Sequence, residues 1–179
     1  VTISYNGELW NFRALRDRLT VDHAQTFTTD GDTEVIAVAL DVWGPDALAE
    51  FDGMFGLAWH DDRDGAVRLA RDRYGEIPLH WGIARVGITF GSELRALHAF
   101  GTSPSTVRWV PPGKTVTFSR NGNGWTVAER DYDPPGPTDP LDVDLDTAAA
   151  TIRDLLAEGC AARAAVADKV LGAGQHADA

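Results

Sequence analysis

Alternating apolar and polar positions at the start of the chain predict a β-strand. The residues from Val1 to Tyr5 alternate and are rich in β-branched side chains, and the pair Asn6-Gly7 is expected to end the strand. A short second strand is expected from Thr26 to Thr28. The first part of the chain is therefore expected to contain strands, and the apolar residues beside them have the spacing of helices.

Two segments follow the 3.6-residue period of an amphipathic helix. Asn11 is placed to cap the first of them. The second is expected from about Thr33 to Trp43, after the polar turn TDGD, and Gly44-Pro45 ends it. The expected apolar faces are Phe12, Leu15 and Leu19 in the first helix and Val35, Val38, Ala39 and Val42 in the second.

From Gly53 onward the apolar period changes to that of strands. Hairpins are expected, because turn-forming residues such as DDRDG separate short apolar runs. Ser92 is placed to cap a short helix with the sequence ELRALHAF. The expected strands are Met54 to Trp59, Ala66 to Ala70, Leu79 to Ala84, Gly87 to Gly91, Thr115 to Phe118 and Trp125 to Glu129. Mixed elements followed by antiparallel hairpins predict an α+β or layered α/β domain.

A change of composition at Asp133 indicates a domain boundary. The stretch DPPGPTDPLDVDLD, residues 133–146, holds four prolines and five aspartates, which predicts a linker with little regular structure. A last helix is expected from about Thr147 to Ala167, and a small polar tail follows it. We therefore predict a main domain over residues 1–132, a linker over 133–146 and a helical segment with a tail over 147–179.

Charge and cysteine content exclude several functions. The chain has 16 Lys and Arg against 27 Asp and Glu, a net charge of −11, so nucleic-acid binding is not expected. The single cysteine, Cys160, cannot form an internal disulfide. No apolar run approaches a membrane span, and the first residues do not resemble a signal peptide. The sequence predicts a cytoplasmic location, no membrane association and no metal site.

Five segments follow one another from Tyr5 to Phe118 in the order YNGELWNF, TTDGDTEV, GMFGLAWHDDRDGAVRLARDRYGEIPLHW, FGSELRALHAF and WVPPGKTVTF. Their order and spacing resemble the class II glutamine amidotransferase domain of the asparagine synthetase family, up to about Asp133. Sugar and purine amidotransferases share the Asn-Gly pair and the Asp, but ARDRYG, PLHW and SELRAL favour the asparagine synthetase branch. The resemblance implies a four-layer αββα sandwich of antiparallel sheets, as in N-terminal-nucleophile hydrolases, incomplete at its N-terminus.

The pair Asn6-Gly7 carries chemistry that suits amide hydrolysis. That reaction passes through a tetrahedral oxyanion, which needs two hydrogen-bond donors. An Asn side chain and the backbone N–H of the following Gly can supply both, although Asn-Gly is also the commonest pair in plain turns. The resemblance implies the oxyanion hole for Asn6 and Gly7.

Free glutamine also needs a carboxylate to bind its ammonium group. Asp32 matches the family's aspartate, and its place at a helix start also suits a capping residue. Gly31 stands where the family usually has Ser, which puts one hydrogen bond in doubt. Glu8 is expected to assist through its backbone. The resemblance therefore implies Glu8, Gly31 and Asp32 as substrate-binding residues.

The segment Arg71-Asp72-Arg73 follows a predicted strand. The resemblance implies that it braces the core and faces a synthetase half, and a solvated turn is the alternative. Glu76 stands where similar sequences usually have Lys, so the charge at this position of the expected interface with the synthetase half is inverted.

The resemblance also implies groups that the sequence does not contain. The family's nucleophile is an N-terminal cysteine whose own amino group serves as the base. It lies upstream of the Asn-Gly strand, as does an Arg-containing loop for the substrate carboxylate. Cys160 is expected to be a packing residue instead. No SGGxDS loop occurs, so we expect no cofactor in this chain, with ATP and Mg only in a synthetase domain elsewhere.

Three functional interpretations stay open. The first is a glutamine-hydrolysing part of an asparagine synthetase-like enzyme, with glutamine as substrate and a synthetase domain or partner chain. The second is an inactive structural or partner-binding module of a related biosynthetic protein. The third is an unrelated acidic α+β binding protein. An exposed sheet edge at Val1 would favour a partner or a homo-oligomer.

Overall fold

The computed structural model describes residues 1–122, 124–133 and 142–173, with side chains up to residue 164. The chain divides into two compact units, Val1–Pro134 and Pro135–Ala179. Residues 134–141 of the predicted linker and residues 174–179 of the predicted tail lie outside the described residues. In the second unit, the described residues form helix α4 (Leu145–Ala173) and the three residues before it. Cys160 on α4 is exposed, so the predicted packing role is wrong.

The first unit mixes helices and strands before it becomes mostly antiparallel β-structure. Its helices are α1 (Phe12–His23), α2 (Asp32–Trp43) and α3 (Leu94–Ala99). Its strands are β1 (Thr2–Leu9), β2 (Gly53–Asp61), β3 (Ala66–Arg71), β4 (His80–Ala84), β5 (Gly87–Gly91), β6 (Arg108–Trp109), β7 (Lys114–Asn121) and β8 (Gly124–Asp131). Short 3-10 helices cover Gly44–Glu50 and Pro104–Thr106. The predicted hairpins are confirmed, with ends that differ by up to three residues.

The described strands form two antiparallel sheets that pack against each other. The large sheet has the order β1-β2-β3-β7-β8, and the small sheet has the order β5-β4-β6. Between them, Trp81 of the small sheet meets Phe118 of the large sheet edge to face, with ring centroids 4.9 Å apart. The core cluster around this contact is Ala58, Leu69, Leu79, Trp81, Val110, Val116 and Phe118. The sandwich is therefore held by apolar side chains from the inner faces of both sheets.

The helices pack on the strands through apolar faces. Helix α2 contacts β1 and α1, and α3 contacts β4 and β5. The predicted face of α1 is confirmed, since Phe12, Leu15 and Leu19 are all buried. The predicted face of α2 is partly wrong: the buried residues are Val35, Ile36, Ala39 and Leu40, whereas Val38 and Val42 are half-buried. The buried face of α2 is rotated relative to the predicted one because the helix packs against both α1 and β1.

Strand β1 does not end at Asn6-Gly7, as the sequence pattern predicted. Asn6 pairs with Gly56 and Gly7 pairs with Phe55, and the ladder continues to Leu9. Gly7 has φ 156°, which lets the extended chain pass through this point without a turn. The Asn-Gly pair therefore lies inside the edge strand of the large sheet.

The predicted strand from Thr26 to Thr28 is wrong. The backbone N–H of Thr28 donates to both carboxylate oxygens of Glu34, at 2.9 and 3.1 Å, instead of to a neighbouring strand. The N–H of Thr29 also donates to Glu34, at 2.7 Å. A helix carboxylate thus satisfies the donors that a sheet would have used.

The predicted caps of α1 and α3 are also wrong. Asn11 makes no capping bond, because its amide donates to the Glu50 carbonyl at 2.8 Å and accepts from the Asp52 N–H at 3.1 Å. Ser92 makes no capping bond either, and α3 begins two residues later. Helix α4 begins at Leu145 rather than Thr147, because Asp144 accepts hydrogen bonds from the backbone and hydroxyl of Thr147.

A buried carboxylate organises the turn between β3 and β4. Asp72 is fully buried, and its two oxygens accept hydrogen bonds from four backbone N–H groups. The donors are Phe55 at 3.2 Å, Tyr74 at 3.1 Å, Glu76 at 2.8 Å and Ile77 at 3.0 Å. The carboxylate therefore ties strand β2 to the turn and holds the chain as it crosses from the large sheet to the small one.

Replacing this carboxylate should destabilise the whole first unit. We expect Asp72→Ala to lower the free energy of unfolding by about 3–5 kcal/mol, because buried donors are left without an acceptor. Chemical denaturation measures the change. Asp62→Ala, in the exposed turn between β2 and β3, is the control and should change the free energy by less than about 0.5 kcal/mol. Equal stabilities of the two variants would contradict the role of Asp72.

Candidate functional site

The side chain of Asn6 joins the two sheets at one edge of the sandwich. Its amide nitrogen Nδ2 donates a hydrogen bond to Ser92 Oγ at 2.9 Å. Ser92 follows β5 of the small sheet, whereas Asn6 lies on β1 of the large sheet. Since an amide nitrogen carries two hydrogens, Ser92 takes one and fixes the direction of the other.

Gly7 lies where the backbones of β1 and β2 approach closely. A Cβ atom on Gly7 would come within 2.1 Å of the Met54 carbonyl oxygen and 2.7 Å of the Phe55 Cα. Its φ of 156° is also one that other residues rarely adopt. Only glycine therefore fits at this position.

Asp32 is the first residue of α2 and is bound to strand β1. Its Oδ2 accepts hydrogen bonds from the Tyr5 hydroxyl at 2.9 Å and from the Leu9 backbone N–H at 3.0 Å. Within the described residues, its Oδ1 accepts only a longer bond, 3.4 Å, from the Thr33 hydroxyl. Burial, together with the nearby Asp32 charge, raises the pKa of Tyr5. The carboxylate is thus held beside residues 6–8 with one oxygen left largely available.

The helix-capping alternative for Asp32 is not what the structure shows. Gly31 is the N-cap residue of α2, and no side chain makes a capping bond there. Gly31 has ordinary φ and ψ values, and a Cβ atom added to it would have Thr29 Oγ1 as its nearest neighbour, at 4.0 Å. A side chain at this position would therefore have space.

Glu34 fixes the loop that leads to Asp32. Its carboxylate accepts hydrogen bonds from the backbone and the hydroxyl of both Thr28 and Thr29. These bonds, first among them that from the Thr29 hydroxyl, lower the pKa of Glu34 to about 2. The loop before α2 is therefore held by an ionised carboxylate.

The structure brings the five residues predicted for the site into one region. Asn6, Gly7 and Glu8 lie on β1, and Asp32, preceded by Gly31, is hydrogen-bonded to the same strand. Asn6 and Tyr5 are neighbours on a strand, so the Asn6 amide and the Asp32 carboxylate lie on opposite faces of β1. A ligand that contacts both must cross the free edge of this strand.

Three supporting residues were not assigned to the site from the sequence. Ser92 was considered only as a helix cap, and no role was given to Tyr5 or Glu34. Their contacts join positions far apart in the chain, 86 residues apart for Asn6 and Ser92 and 27 for Tyr5 and Asp32. The only local signal was Glu34, which lies within one turn of the predicted start of α2.

The turn Arg71-Asp72-Arg73 is not the solvated turn considered as an alternative. Arg71 is buried and donates hydrogen bonds to the carbonyls of Ile77 and Gly75. Arg73 is half-exposed and forms an ion pair of 2.6 Å with Asp133. The turn braces the core, as the resemblance implied.

The described residues contain neither a membrane-spanning helix nor a cluster of metal ligands. No helix in that part of the chain is both long enough and apolar enough to cross a membrane. No three His, Cys, Asp or Glu side chains in residues 1–122, 124–133 and 142–164 lie together as metal ligands would.

Comparison with known proteins identifies one family model, described as a glutamine amidotransferase domain, which matches residues 1–123. A putative glutamine-hydrolyzing asparagine synthetase of Mycobacterium tuberculosis is 37% identical over 93 residues, covering 52% of this chain and 14% of the relative. Glutamine-hydrolyzing asparagine synthetase 3 of Arabidopsis thaliana is 31% identical over 168 residues, covering 88% of this chain and 27% of the relative. The chain thus spans about a quarter or less of the length of these relatives.

A solved structure supports the fold. Glutamine phosphoribosylpyrophosphate amidotransferase from Bacillus subtilis aligns with a TM-score of 0.61 and 22% identity, covering 73% of this chain and 29% of that chain. The similarity confirms the predicted sandwich of antiparallel sheets of the N-terminal-nucleophile hydrolase type.

Gly7 should tolerate no side chain. We expect Gly7→Ala to lower the free energy of unfolding by about 3 kcal/mol, because the new methyl group meets the β2 backbone at a disfavoured φ. Gly31→Ala is the control, and its change should stay below about 1 kcal/mol, because its φ is ordinary and its surroundings are open. Chemical denaturation compares the two, and a Gly7→Ala chain as stable as Gly31→Ala would contradict the geometry.

The contribution of Glu34 to stability should depend on pH. Its folded pKa of about 2 lies below the ordinary value of 4.5, so its stabilisation is complete above pH 4.5 and is lost as the pH falls towards 2. We expect the melting temperatures of the wild-type chain and Glu34→Gln to differ most above pH 4.5 and to converge below it. Thr29→Val should raise the Glu34 pKa in an NMR titration. A constant difference in melting temperature would contradict this assignment.

Proposed function

The chain belongs to the glutamine amidotransferase domain family, and on that basis we propose that it binds glutamine across the free edge of β1. The observation that carries the proposal is the placement of the Asn6 amide and the Asp32 carboxylate at one short stretch of this strand. Among the described residues, β1 pairs only with β2, so its other edge is open to a ligand.

Asp32 is suited to bind the ammonium group of glutamine. Its Oδ2 is occupied by Tyr5 and Leu9, which hold the carboxylate in place. Its Oδ1 keeps acceptor capacity, since its only bond within the described part of the chain is the long one from Thr33. An ammonium at Oδ1 would form a charge-assisted hydrogen bond. We assign a supporting role to Glu8, which lies on the strand that holds this carboxylate, and to Gly31, which directly precedes it in the chain.

Asn6 and Gly7 are suited to stabilise the oxyanion of amide hydrolysis. The Ser92 hydroxyl holds one hydrogen of the Asn6 amide, so the other is oriented before the substrate arrives. Preorganised donors of this kind stabilise a developing negative charge without reorganisation during the reaction. Gly7 contributes its backbone N–H, and the absence of a side chain lets the substrate approach closely.

The full reaction would hydrolyse glutamine to glutamate and supply ammonia for amide transfer. We propose a nucleophilic cysteine from outside this sequence and an acceptor carboxylate activated by a synthetase domain or partner chain. ATP and Mg would bind to that partner rather than to this chain. The relatives are named as glutamine-hydrolyzing asparagine synthetases, which supports a ligase of amino-acid biosynthesis over an inactive structural module. We propose the cytoplasm as its location.

The proposal is tested by calorimetric titration of the chain with L-glutamine. We expect saturable binding that Asp32→Asn weakens by about tenfold or more, because a neutral amide does not pair with the ammonium group. Asp30→Asn is the matched control, since Asp30 is an exposed aspartate of the same loop, and it should leave the binding unchanged. Absent binding, or equal binding by the chain and by Asp32→Asn, would contradict the proposed site.

A further inference from the structure

A second opening of the sandwich lies on the side opposite to Asn6. A hollow of about 540 Å³ opens between the small sheet and strand β8 of the large sheet. Strand β8 is four strands from β1 in the large sheet, which at about 4.8 Å per strand places them about 19 Å apart. The hollow is therefore separate from the proposed glutamine site, and its volume falls in the range of small-molecule pockets.

A positive side chain points into this space from the small sheet. Arg108 on β6 pairs with Trp81 on β4, so the two side chains share one face of the sheet. Trp81 belongs to the core between the sheets, and both residues line the hollow. Arg108 therefore lies on the same side of the small sheet as Trp81, at a margin of the sheet where both residues of β6 are exposed.

A negative side chain points into the same space from the large sheet. Glu129 on β8 pairs with Val116 on β7, and Val127 pairs with Phe118. Val116 and Phe118 are core residues, so Val127 and Glu129 also lie on the inner face. Both line the hollow, and both are exposed to solvent there.

These two charges have no partner within the described part of the chain. Neither Arg108 nor Glu129 forms a side-chain hydrogen bond or ion pair there, with each other or with any other residue. Both side chains are exposed to solvent, so each can meet a charged group of a ligand that enters the hollow. Apolar walls flank them, formed by Trp81, Ile83 and Val127.

We propose that this hollow binds an α-amino acid with an apolar side chain. The carboxylate of the ligand would pair with Arg108 and its ammonium group with Glu129. Its side chain would rest against Trp81, Ile83 and Val127. The chain carries a net charge of −11, which disfavours a ligand with net negative charge, whereas a zwitterion adds none. The inference does not depend on the glutamine proposal.

Three probes that share one branched side chain test the charges separately. Calorimetric titrations of the full 179-residue chain would use L-leucine, 4-methylpentanoate, which lacks the ammonium group, and 3-methylbutylamine, which lacks the carboxylate. We expect saturable binding of L-leucine and binding of each analogue that is weaker by about tenfold or more. No binding of L-leucine, or equal binding of either analogue, would overturn the proposal.

Variants then locate the bound amino acid. Arg108→Gln and Glu129→Gln should each weaken L-leucine binding by about tenfold, and circular dichroism should show that both variants are folded. Arg95→Gln, which changes an exposed side chain of α3, and Asp32→Asn should leave the binding unchanged. Binding that survives Arg108→Gln and Glu129→Gln, or that is lost with Asp32→Asn alone, would assign L-leucine to another site and overturn the proposal.

Discussion

The buried carboxylate of Asp72 is the constraint on which the rest of this fold depends. It accepts hydrogen bonds from the backbone of β2 and from three positions of the following turn. Its own backbone carbonyl accepts hydrogen bonds from Gly75 and Gly113, so the loop before β7 is held at the same point. An apolar side chain could not satisfy so many buried donors. The turn that sends the chain from one sheet to the other is therefore fixed by polar geometry, and the apolar core forms around it.

The two edges of the sandwich differ in chemical character because different elements reach them. At the β1 edge, helix α2 brings Asp32 to the strand and the β5–α3 connection brings Ser92. At the β8 edge, residues of the strands line the hollow together with Ser105 and Thr106 of the short 3-10 helix. The first edge thus offers hydrogen-bonding groups whose positions are fixed by hydrogen bonds to neighbouring residues. The second offers two opposite charges between apolar walls.

The local parts of the fold could be predicted from the sequence, and the long-range parts could not. The hairpin from β2 to β3 was predicted because apolar runs flank a polar turn, and α1 was predicted because its apolar residues keep the helical period. The strand at Thr26 failed because β-branched residues alone do not provide a pairing partner. The Asn-Gly pair was taken for a strand end, since the sequence does not show that a glycine with positive φ can stay within a ladder. Asp32 could be assigned from resemblance, whereas its contact with Tyr5 required the folded chain.

The hydrogen bond between Asn6 and Ser92 also bears on the order in which the molecule assembles. It joins residues 86 positions apart, and each belongs to a different sheet. Closing so long a loop costs chain entropy that only the later packing of the sheets offsets. The amide of Asn6 consequently gains its orientation at the final docking of the two sheets. A nascent or partly folded chain would carry Asn6 and Ser92 without the contact between them, so the oriented amide is a property of the finished sandwich alone.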